Sequence, residues 1–133
     1  MSKSAIYTAN TTAQAVAVGG TVGLGSVVRR FGCALALNGN SISIDDAGYY
    51  EASVSITAEP TAAGTVTATL FNNGVAVPGA TASATVAAAG DAVNVSFDSV
   101  LRIFCGAVPG ALTVVLTGGA ASVTNAAVVV KRL

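Results

Sequence analysis

A chain of 133 residues fits one domain of ordinary size and is long enough to bury a real core. Charged residues make up 9% of it, against about 25% in a typical soluble domain, while 53% is apolar, with Ala and Val dominant. Six cations balance six anions, so the zero formal charge argues against an electrostatic grip on nucleic acid or anionic lipid.

So apolar a chain has to be tested as a membrane protein. No run reaches the roughly 18 uninterrupted apolar residues of a spanning helix, because Gly, Thr, Ser or Asn interrupts every stretch. An outer-membrane barrel needs aromatic girdles at both interfaces, and this chain has no Trp and three Tyr. No membrane role is expected. The opening residues, MSKSAIYTANTT, lack an apolar core after the Lys, so no secretory signal is expected either.

In chain order, residues Met1 to Thr12 show no sustained period and read as an N-terminal arm, with the domain proper running from Ala13 to Leu133. Ile6 and Tyr7 are the sizeable apolar pair of that arm and the candidates for anchoring it to a larger assembly. Ala13–Val18 gives a first strand closed by Gly19-Gly20, and Thr21–Val28 an irregular edge piece broken by Gly23 and Gly25. Arg29-Arg30 reads as a solvated turn. Cys33 and Cys105, each beside a Gly and a Phe, are expected to be reduced and to pack as small buried hydrophobes.

From there the pattern is regular. Ala34–Leu37, the turn Asn38-Gly39-Asn40 and Ser41–Ile44 form a hairpin with Asn and Gly where positive φ is needed. After the turn Asp45–Gly48 comes a long strand in which Tyr50, Ala52, Val54 and Ile56 alternate with Glu51, Ser53, Ser55 and Thr57, the period of two that marks a half-buried strand. Glu59-Pro60 ends it. From Gly64, inward Val66, Ala68 and Leu70 alternate with threonines up to the strong turn signal Asn72-Asn73-Gly74. The return is broken at Pro78-Gly79 into Val75–Val77 and Thr81–Val86.

Ala92–Phe104 places Val93, Val95, Phe97, Leu101 and Ile103 on the core face, while the opposite face becomes apolar toward its end at Val100 and Phe104. Ala111–Thr117 is a short strand. Ser122–Lys131 is a final one, with Val128, Val129 and Val130 on both faces, which implies cover on both sides.

These are about ten short strands with turn signals every eight to twelve residues and no helical period, so the fold class is all-β. The missing Trp removes the strongest immunoglobulin cue, and the strand count favours an antiparallel jelly-roll sandwich. The apolar outward positions imply more surface than one sandwich hides, and a symmetric homo-oligomer is the simplest cover. Tyr49, Val100, Phe104, Val128 and Val130 are the interface candidates.

Chemistry finds no footing. Serine, cysteine or zinc catalysis needs His or more Cys than two, and there is no His. Asp45-Asp46 offers too few oxygens for calcium and suits a turn. No enzyme activity and no cofactor or metal are expected.

The run Asn38-Gly39-Asn40-Ser41-Ile42-Ser43-Ile44, followed by Gly48-Tyr49-Tyr50-Glu51-Ala52-Ser53-Val54-Ser55-Ile56, resembles the strand, turn, Gly-x-Tyr and long-strand signature of the C1q/TNF-like jelly roll. Within that family it is most similar to small bacterial and bacteriophage members, found at the tips of spore-surface collagen-like proteins and in phage head fibres or capsid decorations. Asn125–Val130 likewise resembles the family's terminal strand. The resemblance implies a homotrimer with apolar side chains lining its three-fold axis. There is no Gly-x-y collagen stalk, and the animal members' calcium ligands have no counterpart here. Two functions follow as expectations: a virion protein that decorates a capsid or forms a head fibre, partnered by itself and a capsid protein, or a receptor- or glycan-binding knob.

Overall fold

The computed structural model describes residues 3–133, so Met1 and Ser2 of the expected arm lie outside the described residues. Its eleven strands are β1 (Ala5–Asn10), β2 (Gln14–Val16), β3 (Ser26–Phe31), β4 (Leu35–Asn38), β5 (Ser41–Ile44), β6 (Gly48–Pro60), β7 (Gly64–Asn72), β8 (Val75–Val86), β9 (Val93–Ile103), β10 (Gly110–Thr117) and β11 (Ala121–Arg132). A single turn of 3-10 helix, Cys105–Ala107, separates β9 from β10. No helix among the described residues is long and apolar enough to cross a membrane.

The strands form two antiparallel sheets. One is ordered β3-β1-β11-β6-β9, with β2 also pairing β11, and the other β4-β5-β10-β7-β8. From β5 onward the chain changes sheet at every connection except the β7–β8 hairpin, which makes the two sheets a jelly roll. That hairpin turns on Asn73 and Gly74, at φ +52° and +80°, which is the two-residue turn whose twist suits a hairpin.

The core fills the space between the sheets. Tyr50, Ala52, Val54 and Ile56 of β6 are buried in the expected alternation, as are Val66, Ala68 and Leu70 of β7 and Val95, Leu101 and Ile103 of β9. Ile42, Ile44, Leu112, Val114 and Leu116 of β5 and β10 join the β7 residues in lining it from the five-stranded sheet.

The N-terminal segment is not an arm. β1 lies inside the six-stranded sheet, paired with β11 from Ala5↔Lys131 to Asn10↔Ala126 and with β3 on its other side. Ile6 is 1% exposed within the core, so it anchors the sandwich and not a partner. Ser4 is buried too: its Oγ accepts from the Ala34 amide at 3.2 Å and its carbonyl from the Arg132 amide at 2.8 Å. The segment failed the period test because a short strand alternating Ile6 and Thr8 inward buries a polar residue beside an apolar one.

Other expectations change as well. Arg29-Arg30 belongs to the edge strand β3 and not to a turn, and Arg30 Nε donates to the Leu35 carbonyl at 2.6 Å. β8 runs unbroken through Pro78-Gly79, because it is an edge strand, where a missing donor is tolerated; the pairing shifts register between Thr69 and Phe71 instead. Both cysteines are exposed, since each lies in a connection past a strand end and outside the sandwich core.

At one end of the sandwich the Asp45–Gly48 turn is pinned to the C-terminus. Arg132 donates to Asp46 Oδ2 at 3.3 Å and to the Ala47 carbonyl at 2.8 Å, and the Tyr50 hydroxyl donates to the Asp46 carbonyl at 2.9 Å. Burial of the ring end, partly offset by Arg132, raises the Tyr50 pKa above its ordinary 10.0. Above pH 10 the unfolded chain therefore loses a proton that the folded chain keeps, and stability falls as pH rises through the folded value. Tyr50→Phe should flatten that alkaline decline, measured as melting temperature between pH 9 and 11, while costing about 1 kcal/mol at neutral pH for the lost hydrogen bond. An unchanged alkaline slope would show that other groups set it.

Candidate functional site

The face of the six-stranded sheet that points away from the core is the feature most in need of explanation. Cross-strand registers arrange it in rows. Phe31, Ala5, Lys131, Glu51 and Val100 make one row, and Arg29, Tyr7, Val129, Ser53 and Asp98 the next. Tyr49 opposite Arg102 begins the row nearest the sandwich end, and Asn125, Thr57 and Asn94 lie toward the other.

The two ends of this face differ. At the far end Asn94 Nδ2 donates to Ser55 Oγ and Thr57 Oγ1, both at 3.2 Å, so the polar groups satisfy one another. At the near end Tyr49, Val100 and Phe104 are 54%, 60% and 56% exposed, and Phe31 is 61% exposed. The Arg102 guanidinium sits 4.3 Å from the Phe104 ring centroid and 5.6 Å from that of Tyr49, a cation stacked against two aromatic faces. Lys131 and Glu51 are joined at 3.1 Å across the middle.

The structure thus brings three of the expected interface residues, Tyr49, Val100 and Phe104, onto one exposed patch. It removes two. Val128 and Val130 are buried, paired with Val54 and Ala52, and face the core; Val129 between them is the outward residue. Three valines in a row carry no parity of their own, so their register comes from β6. Tyr7 is at the surface of the same face, 37% exposed, whereas its neighbour Ile6 points inward. Phe31 was missed: it follows two arginines in a segment without alternation. Among the described residues no group of three or more His, Cys, Asp or Glu could hold a metal ion.

With this geometry the chain was compared with known proteins. No family model matches it, and no curated protein matches it by sequence. Solved structures do. Murine APRIL superposes with a TM-score of 0.77 at 12% identity, over 99% of this chain and 100% of that one. The globular domain of zebrafish complement 1qA gives 0.73 at 12% identity, over 97% and 95%. This is the C1q/TNF-like jelly-roll fold. The vertex protein P5 of PRD1 gives 0.58 at 12% identity, with 97% of this chain covered and 72% of that chain. At these identities the likeness is one of fold. In this chain β1, β11, β6 and β9 lie side by side in the six-stranded sheet.

Proposed function

We propose that this chain is a non-enzymatic structural protein that works as a homotrimer within a virus particle, as a capsid decoration or head-fibre protein. The observation that carries the self-association is the cluster of Tyr49, Val100 and Phe104, each more than half exposed on the open face of the six-stranded sheet. A monomer gains nothing from displaying two aromatics and a valine to water, and further copies of this chain arranged around an axis offer the simplest cover. The shared fold with C1q/TNF-like domains and the likeness to a PRD1 vertex protein support the trimer and the virion setting respectively. With Ile6 inside the core, attachment to the shell falls to surface residues, among which Tyr7 remains a candidate.

The alternative, a receptor- or glycan-binding knob, draws on the opposite sheet. Its strands carry no charged residue, and its outer face holds hydroxyl pairs, Thr65 with Thr85 at 2.8 Å, Thr67 with Ser83 at 2.8 Å and Thr69 with Thr81 at 3.0 Å. Mass spectrometry of particles purified from the source culture separates the two readings. Copies present in multiples of three support the virion role; absence from particles together with binding on a glycan array supports the knob.

Phe104→Arg tests the trimer. Burying Phe104 is worth about 1.5 to 3 kcal/mol per copy, so the substitution should convert a trimer into a monomer at micromolar concentration, read by light scattering. A monomeric wild type, or a Phe104→Arg protein that stays trimeric, would defeat the reading.

A further inference from the structure

On the open face Arg29, on the β3 edge, and Asp98, on the β9 edge, have no ion-pair partner among the described residues; Glu59, the other unpaired acid of that face, lies at the far end of β6, away from both. Arg29 bonds to no more than the neighbouring Val28 carbonyl, at 3.0 Å. The remaining charges near them are engaged, Glu51 with Lys131 and Arg102 with its two rings. Arg29 and Asp98 belong to the same row, with Tyr7, Val129 and Ser53 between them. Four strand spacings put them roughly 19 Å apart, too far to meet within one chain.

Beside Asp98 the face is concave. An open depression of about 300 Å³ is lined by Glu51, Ser53, Asp98, Val129 and Lys131. Two acids against one base leave it one negative charge, and its apolar floor at Val129 suits the methylene stem of a long cation. Arg29 is exposed at the opposite edge of the same sheet, where it can reach a neighbour.

We infer that copies of this chain associate head to tail, with Arg29 of one copy entering the depression of the next and its guanidinium pairing with Asp98. The inference rests on the self-association proposed above and adds to it the residues that pair across the contact. The contact in a closed ring of three is heterologous, one part of a copy's surface meeting a different part of the next, and opposite charges on opposite edges of one face supply such a pair. Arginine suits this role better than lysine, since its planar fork meets a carboxylate through two donors.

The test is charge reversal read by analytical ultracentrifugation at 0.1 M salt. Asp98→Arg and Arg29→Asp should each weaken association on the order of 30-fold or more, and the double variant should return to within about threefold of wild type. Both positions are exposed, so the singles should keep wild-type circular dichroism and melting. The neutral pair Asp98→Asn and Arg29→Gln should give smaller losses in the same direction. A trimeric wild type whose singles associate normally, or whose double variant is no better than the worse single, overturns this inference and leaves the trimer standing. A wild type that is monomeric throughout overturns the trimer and this inference together.

Discussion

Ile56→Asp should leave the chain unable to fold, whereas Ser55→Asp, one residue away, should be tolerated. Ile56 is fully buried at the middle of β6, paired with Ala126 on one side and Val95 on the other, both core residues. Truncating such a side chain costs about 2 to 5 kcal/mol before any charge is considered. An unpaired carboxylate adds its desolvation, and the sum approaches the 5 to 15 kcal/mol that is the whole stability of a typical domain. Ser55 faces the other way, into the hydroxyl and amide cluster with Asn94 and Ser96. A carboxylate there can still accept from Asn94, so the change should stay within about 1 kcal/mol. Circular dichroism and thermal melting of the two variants check the pair. Equal damage from both would place the strand one residue out of register.

Removal of residues Met1 to Thr12 should be nearly as destructive. It deletes β1 from between β11 and β3, strips two ladders of hydrogen bonds, and leaves β3 without a sheet neighbour. It also empties the core position of Ile6, worth about 1.5 to 3 kcal/mol by burial alone. The melting temperature should drop by more than about 10 °C, or soluble protein should be lost altogether. A truncated chain that melts like the full one would return these residues to the role of an arm.

Where the fold was legible in sequence, one face of a strand met the core and the other met water. The alternation of Tyr50, Ala52, Val54 and Ile56 with polar neighbours placed β6 and its facing correctly, and the inward residues of β7 and β9 followed the same rule. The turn at Asn73-Gly74 was equally plain, because positive φ at both positions is a local demand that Asn and Gly meet. The exposure of Tyr49 and Val100 was legible for the same reason, since they occupy the outward parity of strands whose inward parity was unambiguous, and Phe104, just past the end of β9, continues that side.

The tertiary structure settled what periodicity leaves open. Val128 and Val130 face inward because Val54 and Ala52 of β6 lie opposite them, a choice that three consecutive valines cannot express by themselves. Residues 5 to 10 are a sheet strand because β11 and β3 offer edges on both sides, although Ser4 and Thr8 bury polar groups that a sequence pattern counts as outward. The two charges Arg29 and Asp98 share a row through pairings between strands whose chain order does not reveal their adjacency. Local sequence thus determined the strands, the turns and the core face of the regular ones, since those depend on the alternation of side chains along a single strand. Register, the fate of the N-terminal segment and the make-up of the open face awaited the tertiary structure, because each depends on which distant strand supplies the neighbouring hydrogen bonds.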